Sequence, residues 1–139
     1  MIGRLYRVSE EERQRIQRDL ASELRRDPAV AFAYVYGSFV ESQAFHDIDV
    51  GVYLRDLPVD RATSTALALA QHLSERARKP VDVRALNLAP VSFIYHVLRG
   101  RLVFCRDAAL LAEVMERTVC RFLDMAPLLR RGTQEAFAA

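Results

Sequence analysis

The chain has 139 residues, of which 51% are hydrophobic and 27% are charged. This length and composition indicate one ordinary globular domain and exclude collagen-like and low-complexity classes. Twenty basic and 18 acidic residues give a net charge of +2, which disfavours a dedicated nucleic-acid-binding protein. No apolar run is long enough for a membrane span, and the N-terminal residues do not form a secretory signal, so the sequence predicts a cytoplasmic protein.

The first predicted elements are a helix and two strands. Ser9 and Glu12 have the spacing of a capping box, so a helix begins after Ser9, and it ends before Pro28. The apolar and aromatic residues of Val30–Tyr36 indicate a buried strand. The alternation over Ile48–Leu54 indicates a second strand with one apolar face.

The second half of the chain predicts alternating helices and strands. In chain order these are a helix over residues 60–78, a strand over 81–86, a short helix over 90–98, a strand over 101–105 and a long helix from residue 107. Gly100 is expected to cap the short helix, and Pro127 is expected to kink or break the long one. This order predicts an α/β (α+β) domain in which helices flank one mixed four-stranded sheet.

Two acidic side chains, Asp47 and Asp49, lie where a half-buried strand prefers apolar residues. The two-residue period of a strand places both carboxylates on one face, with Cα atoms about 6.6 Å apart. Carboxylates this close repel each other unless a cation lies between them, and hard divalent cations prefer such oxygen ligands. Asp82 would complete the site if its strand neighbours theirs. The alternatives are that Asp47 and Asp49 lie on a solvated face and that Asp82 forms a surface ion pair with Arg84.

A Gly-Ser turn precedes these carboxylates in the sequence. Gly37 allows the backbone to approach a ligand closely, and the Ser38 hydroxyl and the N–H groups of Ser38 and Phe39 could face an anion. Alone, this pair is also typical of an ordinary turn. A phosphate-binding turn, an Asp-x-Asp strand and a later aspartate together provide the groups needed for metal-assisted nucleotidyl transfer.

Gly37-Ser38, Asp47-Ile48-Asp49 and Asp82 resemble the nucleotidyltransferase core shared with DNA polymerase β. The small size and the segment over residues 122–131 resemble, more specifically, the minimal nucleotidyltransferase (MNT) antitoxins of HEPN/MNT toxin–antitoxin pairs. The resemblance implies one MNT domain over residues 1–139. Its parts would be an N-terminal helix (1–27), a catalytic core (28–106) and a C-terminal helix and tail (107–139).

The resemblance also implies an activity. The chain would be a protein adenylyltransferase that transfers AMP from ATP to a tyrosine of a partner HEPN ribonuclease and so neutralises it. Asp47 and Asp49 would bridge two Mg²⁺ ions, and Asp82 would bind one of them and orient or deprotonate the attacking hydroxyl. Gly37 and Ser38 would hold the β and γ phosphates of ATP. The expected assembly is a homodimer or a hetero-oligomer with the toxin, with no membrane or direct nucleic-acid binding.

Two features depart from the family pattern. Eight residues lie between Ser38 and Asp47, whereas the family's loop is often slightly longer and carries a glycine. Phe39 stands where a basic residue is often found. Both departures bear on the triphosphate contacts more than on the metal site, and the shortened loop favours the alternative that the chain neutralises its toxin by direct binding, with weak or no catalysis. Transfer to a small molecule such as an antibiotic is a further alternative, but it usually requires an added substrate-binding domain.

Overall fold

The computed structural model describes residues 3–137, with side chains through residue 127. In chain order the elements are β1 (Tyr6–Arg7), α1 (Glu10–Arg25), β2 (Val30–Tyr36), α2 (Ser38–Glu41), β3 (Ala44–Phe45), β4 (Ile48–Leu54), α3 (Val59–Ala77), β5 (Val81–Ala85), α4 (Val91–Leu98), β6 (Arg101–Cys105) and α5 (Ala108–Phe137). Across these residues, each helix is either too short or too polar to cross a bilayer.

The predicted mixed four-stranded sheet is confirmed, with strand order β5-β4-β2-β6. β2 pairs antiparallel with β4 on one side and with β6 on the other, whereas β4 and β5 are parallel. Parallel neighbours need a long crossover connection, and α3 provides it. Every residue of β2 is buried, as expected for a central strand that is covered on both faces.

The two faces of the sheet carry separate hydrophobic clusters. Ile48, Val50, Val52 and Leu54 of β4 pack with apolar residues of α1 and α3, as their alternation predicts. The opposite face is covered by α4 and α5, through residues such as Val97 and Val114. Asp49 alternates with the apolar residues and therefore lies on the α4 face, at the beginning of the strand.

The start of α1 follows the predicted capping pattern only in part. The Glu12 backbone N–H donates to the Ser9 side-chain oxygen over 3.1 Å. The Glu12 carboxylate contacts Arg15 and Lys79. The helix thus begins where the sequence predicts, with the serine providing the cap.

The structure differs from two expectations, a glycine cap at Gly100 and a break at Pro127. The residue that caps α4 is Arg99, in a right-handed conformation, and Gly100 does not adopt the positive φ that a glycine cap uses. A side chain at Gly100 would instead overlap the Val35 carbonyl oxygen, so close approach to β2 requires the glycine. α5 continues through Pro127 without a break, although a proline removes one intrahelical hydrogen bond.

A second, two-stranded sheet, which no sequence pattern predicts, is present. β1 pairs antiparallel with β3, with Tyr6 opposite Phe45 and Arg7 opposite Ala44. The Tyr6 and Phe45 rings stack with centroids 5.8 Å apart. The N-terminal segment therefore holds the loop that leads to Asp47.

Candidate active site

The turn after β2 lies directly against a carboxylate of β4. Tyr36, the last residue of β2, is the register partner of Asp49. Gly37 follows with φ +78°, and a Cβ atom built on it would lie 2.7 Å from Asp49 Oδ2. Both the backbone conformation and the lack of space therefore require glycine at this position. The resulting turn places main-chain atoms beside the Asp49 carboxylate.

Asp82 lies next to Asp49 on the neighbouring strand. The two residues are register partners in the parallel pair of β4 and β5, so their side chains project to the same face of the sheet, about 4.8 Å apart at the backbone. The condition that the sequence sets for Asp82, a strand adjacent to that of Asp49, is thus met. Asp47 lies in the bend that precedes β4.

The electrostatics of the site reflect an excess of negative charge. Burial, followed by the charges of Asp47 and Asp82, raises the pKa of Asp49 to about 6, and Arg84 and His96 act in the opposite direction. Such a shift means that the folded protein disfavours the charged form of Asp49. A cation placed among the three carboxylates would remove this penalty, and strongly shifted groups of this kind are typical of functional sites.

Arg84 forms an ion pair with Asp82. Its Nε donates to Asp82 Oδ2 over 3.3 Å, and the two side chains are 62% and 47% exposed. The guanidinium carbon of Arg84 also lies 5.7 Å from the centroid of the Phe93 ring of α4. The sequence alternative for Asp82, an ion pair with Arg84, is therefore present in the structure together with the pairing to Asp49.

Aromatic side chains of β2 and α4 form the wall of the site. The Tyr36 ring meets the rings of Phe93 and His96 edge-on, with centroids 5.7 Å and 5.6 Å apart. Burial, followed by the charges of Asp49 and Asp82, raises the pKa of Tyr36 to about 12. Tyr36 is therefore a neutral, buried wall residue, whereas His96 is exposed at the rim.

The turn and the short helix α2 offer backbone groups but no basic side chain. Ser38 begins α2, and the Gly37 carbonyl accepts hydrogen bonds from the N–H groups of Val40 and Glu41 over 3.0 Å each. The first N–H groups of a helix have no acceptor within that helix, so those of Ser38 and Phe39 are suited to an anion. The Phe39 side chain is fully buried and packs edge-on against Phe45.

His46 is turned towards the N-terminal segment. Its Nδ1 lies 3.2 Å from the Arg4 carbonyl oxygen, and the residue is exposed. This contact adds to the pairing of β1 with β3 and anchors the loop on its way to Asp47. A role for His46 in holding the loop is consistent with this position.

The residues present fit a divalent cation bound together with a phosphate ligand. Among the side chains described, those of residues 3–127, no three His, Cys, Asp or Glu groups come close enough to enclose an ion by themselves. Mg²⁺ is usually bound by one or two carboxylates, waters and substrate phosphates, so a complete protein cage is not required. The hard oxygen donors of Asp49 and Asp82 and the Gly37 turn, which lacks a side chain, provide this arrangement.

A cavity of about 700 Å³ lies elsewhere, between α1 and α3, and is lined by Glu23, Arg61, Leu69 and His72 among others. It contains none of the three aspartates. Tyr36 and His96 were not singled out from the sequence, and both lie at the site. Register is what brings Tyr36 beside Asp49, and no local pattern in the sequence encodes it.

Comparison with known proteins was made at the level of sequence families and of structures. A sequence model of the family described as "Polymerase beta, Nucleotidyltransferase" matches residues 18–109, a range that includes Gly37, Ser38 and all three aspartates. No curated protein matches the chain.

Several solved toxin–antitoxin structures are similar in fold. One is the tri-AMPylated Shewanella oneidensis HEPN toxin in complex with MNT antitoxin, with a TM-score of 0.61 and 20% identity over 91% of this chain and 95% of that chain. Another is a toxin–antitoxin with AMP-PNP, with a TM-score of 0.63 and 18% identity over 95% of this chain and 100% of that chain. A third is an MntA–HpeT toxin–antitoxin mutant in which two aspartates, two positions apart, are replaced by glutamate. Its TM-score is 0.64, with 18% identity over 95% of this chain and 100% of that chain.

Proposed function

Since the chain belongs to the polymerase beta nucleotidyltransferase family, we propose that it is a Mg²⁺-dependent protein adenylyltransferase that acts as an antitoxin. It transfers AMP from ATP to a tyrosine hydroxyl of a HEPN toxin. The observation that carries the proposal is the register pairing of Asp49 with Asp82 beside the Gly37 turn. This pairing brings two carboxylates beside a turn whose backbone N–H groups are suited to an anion, as metal-assisted nucleotidyl transfer requires.

Each predicted site residue receives a role in this proposal. Asp47, Asp49 and Asp82 would hold Mg²⁺ through their carboxylate oxygens. Gly37 and Ser38 hold the β and γ phosphates of ATP through backbone N–H groups and the serine hydroxyl. When bound, Mg²⁺ supplies positive charge that offsets the charge of the triphosphate and of the leaving pyrophosphate.

The chain's own groups then arrange an in-line displacement. The tyrosine oxygen of the toxin forms a bond to the α-phosphorus of ATP, and the bond from that phosphorus to the oxygen bridging to the β-phosphate breaks. Pyrophosphate leaves with the electron pair of the broken bond. The proton of the tyrosine hydroxyl passes to the Asp82 carboxylate and from there to water. The products are tyrosyl-AMP on the toxin and pyrophosphate.

The fold neighbours support the choice of partner. They are toxin–antitoxin structures, one with a tri-AMPylated HEPN toxin and MNT antitoxin and one with AMP-PNP, and each aligns over nearly the whole chain. In a further neighbour the two substituted aspartates have the spacing of Asp47 and Asp49. Adenylylation of a toxin is the function that agrees both with these neighbours and with the residues of the site.

A second candidate function is neutralisation of the toxin by contact alone. The ion pair of Arg84 with Asp82 favours it, because Asp82 has a positive partner without any metal ion. The lack of a basic side chain on α2 favours it as well. The register pairing of Asp49 with Asp82 favours catalysis instead, since a binding protein gains nothing from a carboxylate that its own fold disfavours in the charged state.

One experiment distinguishes adenylylation of the toxin from neutralisation by contact alone. The chain is incubated with its HEPN partner, ATP and Mg²⁺, and the intact mass of the partner is measured. The proposal expects mass increments of AMP with the wild type and none with Asp49→Asn or Asp82→Asn. Asp56→Asn, in an exposed turn with positive φ that asparagine tolerates, is the matched control and should transfer AMP normally. A toxin that is inhibited but keeps its original mass would establish the contact-only function.

A further inference from the structure

Arg84 lies between the carboxylates of the site and the wall formed by α4. Its Nε donates to Asp82 Oδ2 over 3.3 Å, and its guanidinium carbon lies 5.7 Å from the centroid of the Phe93 ring. The side chain is 62% exposed, so the guanidinium keeps donors that Asp82 does not use. Arg84 follows Asp82 by two residues on β5 and therefore projects to the same face of the sheet.

The position of Arg84 matters because the rest of the site is poor in cations. α2 consists of Ser38, Phe39, Val40 and Glu41, and the one aromatic residue among them is buried in the core. Arg84 and His96 oppose the rise in the pKa of Asp49, and an arginine carries its charge permanently. A triphosphate bound beside Gly37 would therefore meet Arg84 as the permanently charged side chain nearest to the carboxylates.

We infer that Arg84 is a nucleotide-binding residue. When a nucleoside triphosphate binds, the guanidinium leaves the Asp82 carboxylate and contacts the phosphates instead. This inference rests on the proposed function. An exposed ion pair between arginine and a carboxylate contributes little to stability, so its loss costs little. A guanidinium binds two oxygens of a phosphate group in a fixed geometry, which makes the triphosphate the stronger partner.

Through this exchange, nucleotide binding determines whether the Asp82 carboxylate is free or paired with Arg84. While Arg84 contacts Asp82, the guanidinium competes with a metal ion for the same carboxylate oxygen. When the phosphates attract Arg84, Asp82 becomes free to hold the metal and to accept the proton of the attacking hydroxyl. Metal and nucleotide therefore bind better together than either binds alone, which is a positive coupling between two ligands.

The test compares metal and nucleotide affinities in Arg84→Met and Arg84→Lys. Methionine keeps a long apolar side chain against Phe93 and removes the charge, whereas lysine keeps the charge without the planar fork. The affinity for Mn²⁺ alone and the affinity for a non-hydrolysable ATP analogue with Mg²⁺ are each measured by calorimetry on the full chain. Arg101→Met is the matched control, because Arg101 is exposed on β6, at the opposite edge of the sheet.

The expected signature is two changes of opposite sign. Arg84→Met should bind Mn²⁺ alone about 3-fold more tightly, because an exposed competitor for Asp82 is gone. It should bind the ATP analogue about 10- to 100-fold more weakly, the loss expected for a hydrogen bond between charged groups. The affinity of Arg84→Met for AMP, which lacks the β and γ phosphates, should change much less. Arg84→Lys should keep most of the affinity for the ATP analogue.

Other outcomes overturn the inference. If the wild type binds metal and nucleotide but Arg84→Met changes neither affinity, or changes both in the same direction, Arg84 does not make the exchange and the proposed function stands. If the wild type binds neither ligand, the proposed function and the inference both fail. A thermal unfolding curve of each variant, compared with that of Arg101→Met, shows whether a change arises from misfolding.

Discussion

The backbone of Gly37 approaches Asp49 so closely that a methyl group on Gly37 would lie 2.7 Å from the Asp49 Oδ2 atom. The glycine also has a φ of +78°, which side-chain-bearing residues rarely adopt. A single contact thus joins the end of β2 to the carboxylate of β4. The turn and the acidic strand are thereby one structural unit, although twelve positions separate these two residues in the sequence.

Gly37→Ala tests this contact. The substitution combines an unfavourable backbone conformation with an overlap against a polar atom, so we expect it to lower the free energy of unfolding by about 1–3 kcal/mol. Urea unfolding measures the loss. Gly3→Ala is the control, because a Cβ atom there would approach only His46 Cβ, at 4.0 Å. Equal stabilities of Gly37→Ala and wild type would contradict the geometry described here.

Asp49→Asn should make the protein more stable in the absence of ligands. The pKa of Asp49 is raised from 3.8 to about 6, so the folded state binds a proton more strongly than the unfolded state does. The free energy of unfolding of the wild type should therefore fall as pH rises from about 4 to about 6. Asparagine carries no charge and removes this loss. After allowance for solvent screening, we expect a gain of about 1 kcal/mol at pH 7.5 and little difference near pH 4.

The same variant should lose its response to the nucleotide. Thermal unfolding of the wild type with Mg²⁺ and ATP, at about 100 times the dissociation constant, should reveal about 2.7 kcal/mol of added stability. Asp49→Asn should gain almost none of it, since a metal-binding carboxylate is gone. Asp56→Asn should behave like the wild type in both experiments. A variant that is less stable at pH 7.5 and still responds to Mg²⁺ and ATP would contradict the assignment of Asp49.

Local patterns in the sequence were sufficient to predict the elements that carry the site. The strands Val30–Tyr36 and Ile48–Leu54 have the predicted bounds, because runs of buried apolar residues and strict alternation are properties of neighbouring residues. The Ser9 cap and the helix over Glu10–Arg25 follow for the same reason. The acidic residues were visible because they interrupt such a pattern.

Features that depend on contacts between distant segments could not be predicted in this way. The pairing of β1 with β3 involves strands of two residues each, too short for any periodicity. Gly100 is recognisable as special in the sequence, but the reason, its approach to Val35, depends on the packing of two elements. The positions of Tyr36 and Arg84 beside the aspartates likewise depend on strand register and on α4.

A hydrogen bond between Glu23 on α1 and His72 on α3 should make the free energy of unfolding depend on pH at the acidic end. His72 Nε2 lies 2.5 Å from the Glu23 carboxylate, whose side chain is 9% exposed. The hydrogen bond from His72 is the main cause that lowers the pKa of Glu23 below 4.5, and burial opposes it. A lowered carboxyl pKa contributes stability that is present above pH 4.5 and is lost as pH falls through the folded value.

Glu23→Gln should accordingly destabilise the protein by about 1 kcal/mol at pH 7, measured by urea unfolding. The difference from wild type should shrink as pH falls below 4.5 and Glu23 takes up a proton in the folded protein. Glu75→Gln, an exposed change on α3, is the control and should have little effect at either pH. A constant difference across this range would show that the shape of the side chain matters and that its charge does not.

The contact of Tyr6 with Phe45 should control the mobility of the loop before Asp47. Tyr6→Ala removes one of two stacked rings whose centroids lie 5.8 Å apart. We expect the free energy of unfolding to fall by about 1 kcal/mol. Hydrogen exchange of the backbone amides over residues 43–47 should become faster, since β3 loses its support. Leu5→Ala, at a residue that is 52% exposed, is the control. Unchanged exchange in Tyr6→Ala would mean that backbone pairing alone holds the loop.

Gly51 sets the distance between β4 and α4, and through it the position of the wall of the site. A Cβ atom on Gly51 would lie 2.6 Å from Val97 Cγ1 and 3.2 Å from Leu86 Cδ2. Valine in a helix has essentially one rotamer, so α4 must shift to admit even a methyl group. Gly51→Ala should therefore cost about 1–3 kcal/mol by overpacking and weaken nucleotide binding, because Phe93 and Arg84 move apart.

A second substitution in the same contact can separate displacement of α4 from a direct effect on the strand. Val97→Ala removes the methyl groups that the new Cβ atom would meet, and alone it should be destabilising, since Val97 is fully buried. Combined with Gly51→Ala, it should restore part of the lost stability and of the nucleotide affinity, so the two changes are not additive. Simple additivity in unfolding and in calorimetry would show that α4 is not held in place by Gly51. The link between core packing and the position of Arg84 would then have to be abandoned.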